Sequence, residues 1–314
     1  MKINGSNVCV AGGCGFLGSH LVDYLIEEKD CKVLVLDNLM VGRKEWLHPI
    51  AKFEWCDISL SEGAIQKILS KYDIKYAFNY VAMPYVPMSY ERPLGVFDIN
   101  ARGALMFMNA CQDALVDRIL QVSSAEIYGD AHGKINEDYP ARPHSSYGAS
   151  KLAIDCLVQA RWKESQCPCL ALRQFNCLGE RETHPYVIPE IIRQVAKTNE
   201  IIFLGNNSAR DFLYAKDQAM MATELLEKGN LGEVYNLGSE HTIQIYDLAH
   251  IIADLMGKKI EIIVDDSRKR AWEIWHLQSD NTKIYSVIDS RPKFTLEQAL
   301  HNTIEYYREY GWEF

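Results

Sequence analysis

Tyr147-Gly-Ala-Ser-Lys151 sets a phenol and an ammonium one helical turn apart, on the same face of any helix that carries them. A phenol with an ordinary pKa near 10 is a poor base at neutral pH. A neighbouring lysine charge, together with the positive ring of an oxidised nicotinamide, stabilises the phenolate and makes it usable as one. Ser123 and Ser124 close a strand-like run 23 residues upstream, and Glu126 follows two residues later. A hydroxyl at 124 can link the phenol to a bound alcohol, and a carboxylate at 126 can take a proton from carbon beside a carbonyl. A second constellation lies near the start. Gly12, Gly15 and Gly18, with Phe16 and Leu17 between them, follow the apolar run Val8–Ala11 and precede a helical pattern. Small residues there let the backbone approach a pyrophosphate, whose charge then faces the amides of a helix N-terminus. About 20 residues on, a second strand ends at Asp37-Asn38. An acidic side chain at that point accepts the ribose hydroxyls of NAD and repels the 2′-phosphate of NADP. Asp57-Ile58, after a third strand, is placed to touch the adenine.

These residues need a scaffold that brings strand ends together. Short β-branched runs at Asn7–Ala11, Lys32–Asp37, Phe53–Cys56, Tyr76–Val81, Arg118–Ser123 and Cys169–Phe175 alternate with helical patterns at Gly18–Lys29, Ser61–Lys71, Asn100–Ala114 and Ser150–Glu164. Such alternation predicts a parallel sheet covered on both faces, an α/β doubly wound fold of Rossmann type. Catalytic groups then collect at the carboxyl edge, where Ser123, Ser124, Val81, Ala82 and Asn100 fall. Past Cys177 the rhythm breaks, predicting a smaller C-terminal α+β substrate domain over 177–314. Residues 1–176 form the dinucleotide domain, with 214–240 returning to it. A helix is expected near 189–198. Thr295-Leu-Glu-Gln298 is a capping box opening a last helix with Leu296, Leu300, Ile304 and Tyr307 on one face.

Composition narrows the function classes. Lys+Arg 33 against Asp+Glu 42 gives a net charge of −9, the wrong sign for a nucleic-acid binder acting through its overall field. The triplet Arg268-Lys269-Arg270 can touch phosphates only locally. Nine scattered cysteines without a C-x-x-C predict reduced core thiols and a cytoplasmic protein. No segment approaches the ~20 apolar residues of a membrane span, and the opening residues run directly into a strand, so no leader is expected. The histidines show no H-E-x-x-H, so no metal is expected. His184 is read as a loop residue near a substrate lid.

Taken together, the glycine loop, Asp37, Asn100, Ser124, Tyr147 and Lys151 resemble the extended short-chain dehydrogenase/reductase family in its nucleotide-sugar epimerase/dehydratase branch, over essentially the whole chain. Arg173-Gln-Phe-Asn176 is similar to that family's R-x-F-N segment under the substrate pyrophosphate. Arg210-Asp-Phe-Leu-Tyr214 is similar to its R-D-F/Y-x-x-V segment, and Arg270 to Glu273 with Asp280 to Lys283 to its late arginine and D-x-T/S-K motif. The resemblance implies NAD as a tightly held cofactor and a nucleoside-diphosphate sugar as substrate. It implies that Arg210 and Arg270 hold the diphosphate, that Asn176 donates to it, and that Ser124, Ala125, Val187 and Glu273 line the sugar nucleotide site. Tyr85, which with Met83 and Met88 departs from the family pattern, is read as a packing residue facing the sugar. Charge-assisted donors are what two anionic phosphates call for. Nucleotide-base recognition is expected from backbone around Ile201–Gly205.

The reaction turns on Ser124-Ala125-Glu126. In 4,6-dehydratases that resemble this chain the glutamate is the C5 base; in 4-epimerases its position is small or hydroxylic. Glu126 therefore favours elimination, whereas Ala125 resembles the epimerases and cannot protonate a departing hydroxide. The stretch Val86-Pro87-Met-Ser89 with Pro93-Leu94 resembles the UDP-N-acetylglucosamine 5,6-dehydratases of tunicamycin assembly. Elimination of water, 4,6 or 5,6, is the first expectation. A 4-epimerase is the alternative, a UDP-glucuronate decarboxylase a further one, and a non-catalytic NAD sensor the reading from a different class. Helices near 100–114 and 150–164 are apolar around much of their circumference, predicting a homodimer built on them.

Overall fold

The computed structural model describes residues 2–197, 200–269 and 272–311. Along the first half run β1 (Asn7–Ala11), α1 (Phe16–Glu27), β2 (Lys32–Asp37), β3 (Lys52–Trp55), α2 (Glu62–Lys71) and β4 (Tyr76–Asn79). Next come α3 (Val86–Glu91), α4 (Pro93–Phe97), α5 (Gly103–Asp113), β5 (Arg118–Ser124), α6 (Ser146–Ser165) and β6 (Cys169–Gln174). The second half holds β7 (Asn176–Leu178), α7 (Val187–Lys197), β8 (Ile201–Leu204), β9 (Ala209–Tyr214), α8 (Ala215–Lys228) and β10 (Val234–Leu237). It ends with β11 (Thr242–Gln244), α9 (Ile245–Leu255), β12 (Glu261–Val264), β13 (His276–Leu277), α10 (Thr282–Tyr285) and α11 (Leu296–Tyr310).

Seven strands form one parallel sheet in the order β10-β6-β5-β4-β1-β2-β3. The period-2 alternation of each strand sends its apolar residues to both faces. Val8, Val10, Val33 and Val35 meet Leu21, Val22 and Leu25 of α1 and Met221 and Leu225 of α8 on one side. Cys9, Ala11, Leu34 and Leu36 meet Ile65 of α2, Phe107 and Met108 of α5, and Ile154 and Val158 of α6 on the other. Because β2 and β4 flank β1, the chain leaves β1 and β4 in opposite directions, opening a crevice at their carboxyl ends. Eight of the nine cysteines are buried or half-buried, and all nine are unpaired.

Beyond β6 the chain builds a second unit around β9. Its residues pair with β7 and β13 in parallel and with β11 in antiparallel fashion, while β8 and β12 make a separate parallel pair. Ile191 and Val195 of α7, Leu248 and Ile252 of α9, and Leu300 and Ile304 of α11 close its core. Both bonds of the capping box at Thr295 and Gln298 are made. From β9 the chain passes straight into α8 and β10, which rejoin the large sheet.

Three segments differ from the local pattern. The segment Ile201–Gly205, expected as a loop whose backbone would meet the nucleotide base, is mostly a strand, β8. Helix α6 begins at Ser146, four residues before the expected start, because Ser145 caps it by accepting the Gly148 N–H at 3.0 Å. The helix expected from Asn100 is preceded by α3 and α4, and a wide π turn over Asp98–Arg102 joins α4 to α5. That turn re-aims the Asn100 side chain, as π insertions do. Among the described residues no helix is long and apolar enough to cross a membrane.

Candidate active site

One cleft of about 800 Å³ runs from the glycine loop, across the carboxyl edge of the sheet, to the second unit. At one end Gly12 holds a left-handed φ of +79°, and a Cβ on Gly18 would lie 2.1 Å from the Gly12 carbonyl oxygen. No side chain caps α1, so its first amides stay open toward the cleft. Asp37 accepts the Cys14 N–H at 3.0 Å through one oxygen and the Leu39 N–H at 2.8 Å through the other. Each oxygen keeps a lone pair for a ribose hydroxyl. Burial pushes this carboxyl above the usual range, while the two amides pull it back. Asn38 donates to Asp57 at 3.0 Å, and Asp57 also accepts from Ser59, which sets a rigid polar rim beside Ile58. Gly15, Phe16, Leu17, Val81, Ala82 and Ser123 complete this wall. A bare backbone cradle, an open helix start and a two-oxygen acceptor fit an adenine dinucleotide.

Asn100 is not on the cleft wall. It lies one layer behind, accepting the Met83 N–H at 2.8 Å and donating to Ser150 Oγ at 3.0 Å. Ser150 Oγ in turn donates to the Tyr147 carbonyl at 2.7 Å. The side chain that looked like a cofactor contact thus braces the Met83 loop against the start of α6.

Tyr147, Lys151, Ser124, Ala125 and Glu126 share the middle of the cleft. Tyr147 is only 8% exposed, packed by Met83, Val86 and Val96. Its hydroxyl is hydrogen-bonded to Ser124; burial raises its pKa, the Glu126 charge adds to this, and the serine bond opposes it. Ser124 also accepts the Glu126 N–H at 3.2 Å, capping the tight turn Ala125–Ile127 that aims the glutamate. Lys151 Nζ donates to the Val122 carbonyl at 2.8 Å and stands 5.9 Å from the Tyr147 ring centroid. Burial brings its pKa down to about 8, with Asp155 pulling the other way. The expected lowering of the phenol by the lysine is therefore not a property of the chain alone. Burial holds both groups toward their neutral forms, and a positive ring bound beside them would favour the phenolate.

Behind this wall Arg173 turns inward. Its Nε donates to Asp155 at 2.8 Å, and its Nη1 donates to the Tyr128 hydroxyl at 2.7 Å and the Glu137 carbonyl at 3.0 Å. It is a buried support of this wall. Asn176 starts β7 on the cleft wall, Val187 opens α7 there, and Arg210, 7% exposed, reaches it from β9. Tyr85 and Glu273 also line it. Arg270 lies outside the described residues.

Several lining residues carried no local sequence signal as site members. Arg268, from a triplet expected to make no more than local phosphate contact, faces the cleft with Lys269 and is held by Glu190 at 3.0 Å, a carboxylate that also takes Arg193. Glu182 is buried, with one oxygen unpartnered among the described residues, and burial pushes its carboxyl well above the usual range. Gln174 and Tyr186 complete the group. Among the described residues no cluster of side chains is arranged to hold a metal ion.

Comparison with known proteins gives a consistent picture. The profile of the NAD dependent epimerase/dehydratase family matches residues 8–238. The low-salt glycan biosynthesis protein Agl12 of Haloferax volcanii is 30% identical over 312 residues, covering 96% of this chain and 98% of its own. The structure of a UDP-glucose 4-epimerase from Thermotoga maritima, solved with UDP-glucose, superposes with a TM-score of 0.90 at 27% identity, covering 97% and 99% of the two chains. A dTDP-glucose 4,6-dehydratase from Bacillus anthracis in complex with NAD gives 0.85 at 25% identity, covering 97% of each.

Proposed function

The chain belongs to the NAD-dependent epimerase/dehydratase family, and we propose that within it this protein is a nucleotide-sugar dehydratase, removing water from a nucleoside-diphosphate hexose by way of a transient 4-keto sugar. The observation that carries this reading is Glu126, a carboxylate fixed by the Ser124 cap on the same wall as Tyr147. NAD, when bound in the glycine cradle, supplies the two-electron acceptor that takes hydride from C4 and gives it back.

Everything else falls to the chain. Tyr147 receives the 4-hydroxyl proton, with Ser124 hydrogen-bonded between phenol and sugar. Lys151 holds positive charge beside the phenolate. Once C4 is a ketone, the neighbouring C5–H is acidified and Glu126 removes that proton. The C6 hydroxyl then departs, and the proton and hydroxide leave together as water, leaving a C5–C6 double bond. In a 4,6-elimination hydride would return to C6 and the Tyr147 proton to C5; in a 5,6-elimination hydride would return to C4 and the Tyr147 proton to O4. Ala125 has no acid to offer the departing oxygen, so the protonated Glu126 is the donor this reading uses. Arg210 and Arg268 supply guanidinium forks, and Lys269 an ammonium, for the diphosphate. The reading extends to a homodimer through α5 and α6, whose Leu105, Met106, Leu152 and Leu157 are only half-buried in the single chain.

Ala125 favours a second reading, a 4-epimerase, in which hydride returns to the opposite face of the same carbon and Glu126 is a bystander. Incubation with UDP-, dTDP-, GDP- and CDP-hexoses, followed by product mass, separates the two. Loss of one water supports the dehydratase, and an unchanged mass with inverted C4 supports the epimerase. Glu126→Gln should abolish elimination, by about 100-fold or more; elimination at the wild-type rate in that variant contradicts the assignment.

A further inference from the structure

Three aromatic rings meet where the two halves of the molecule face each other across the cleft. Tyr85 comes from the loop between β4 and α3. His184 and Tyr186 come from the loop between β7 and α7, about 100 residues later in the chain. The Tyr85 and His184 rings stack at 5.4 Å between centroids and 25° between planes. Tyr186 closes the group edge-on, 6.2 Å from Tyr85 and 5.7 Å from His184. The Tyr186 N–H donates to the His184 carbonyl at 2.7 Å, fixing the two rings on one short turn. Burial lowers the His184 pKa, so the ring is neutral at neutral pH and stacks without carrying a charge into the site.

The position of this group identifies which part of the ligand it meets. Val86, the residue after Tyr85, packs directly on Tyr147, as does Met83 just before it. Tyr85 and Tyr186 both line the cleft. The loop that carries Tyr85 therefore stands beside the reacting end. Resting on the nucleotide-sugar reading above, we propose that Tyr85, braced by His184 and Tyr186, forms an aromatic clasp that presses the hexose toward Tyr147. In it Tyr85 is the sugar-contacting ring, and His184 is a positioning residue that acts through Tyr85.

The clasp supplies an apolar face for the C–H side of a pyranose, and stacking on His184 holds that face in one orientation. Its contribution is confined to the sugar. The nucleoside diphosphate is gripped elsewhere, by backbone and cations, so a ligand without the hexose should not sense the clasp.

The test is titration calorimetry on the NAD-loaded protein with UDP-glucose and dTDP-glucose, each set against UDP and dTDP alone. Tyr85→Ala and His184→Ala are expected to weaken sugar-nucleotide binding by up to about tenfold, the scale of one aromatic pair. Both should leave the bare diphosphates within about twofold. Tyr85→Phe and His184→Phe keep the rings and should bind like wild type; in turnover the alanine variants should raise KM more than they lower kcat. Equal loss for sugar nucleotides and bare diphosphates, or wild-type binding by both alanine variants, overturns the clasp. So does a wild-type protein that gains no affinity from the hexose. Failure of the reaction is read separately: a wild type that binds these sugars through the clasp but transforms none of them refutes the dehydratase and leaves the clasp standing.

Discussion

Lys151 is held where its charge is costly, and replacing it should expose that cost. Burial lowers its pKa from 10.5 to about 8. A displacement of that size corresponds to roughly 3 kcal/mol of destabilisation of the folded ammonium. Lys151→Met keeps the stem and removes the charge. The Val122 carbonyl loses its donor, but it lines the cleft, where water can replace the bond, so that loss offsets about 1–2 kcal/mol. Asp155 remains paired with Arg173 at 2.8 Å. The variant without cofactor should therefore be more stable than wild type at pH 7, by about 1–2 kcal/mol, while turnover falls at least about 100-fold. The folded pKa lies below the unfolded one, so between them the unfolded chain binds more protons and wild-type stability rises with pH. The penalty is complete below about pH 8 and gone above about pH 10.5. Urea unfolding followed by circular dichroism at about pH 7 and about pH 9.5 reads both the sign and the closing of the gap. A variant less stable than wild type at neutral pH, or a gap that does not change with pH, would refute the reasoning.

Arg173→Leu should destabilise the fold by about 3–5 kcal/mol in chemical unfolding, because Asp155 is then buried without its cation; adding Asp155→Leu should recover most of that loss, whereas an equally unstable double variant would contradict it. Sedimentation at micromolar concentration should show a dimer, and Leu105→Glu with Leu157→Glu should yield a folded monomer; a wild-type monomer would remove α5 and α6 as an interface.

Much of the sheet could be read from local pattern alone, since strand and helix periods depend on residues close in sequence. Asn7–Ala11 and Lys32–Asp37 match their strands to the residue. The turn at Asp98–Arg102 could not, because no residue type in it marks where a helix widens. Asn100 shows the consequence: its type and position pointed at the cofactor, while the turn directs it to Met83 and Ser150. Tyr147, Lys151, Ser124 and Glu126 were legible because helix spacing and a strand end bring them together. Arg268 with Glu190, Arg173 with Asp155 and Tyr85 with His184 were not, since each contact is made only when distant segments close on one another. The raised phenol was also hidden, because desolvation depends on packing that no motif records.

The most direct test of the transient 4-ketone is the fate of deuterium placed at C4 of the hexose. If the phenol and its neighbours pass that carbon through a ketone while hydride stays sequestered, the label remains in the product, back at C4 in an epimer or a 5,6-elimination product, or transferred to C6 by 4,6-elimination. Tyr147→Phe should form no labelled product while still binding substrate. Deuterium released into water, or product formed at an undiminished rate without Tyr147, would contradict the account.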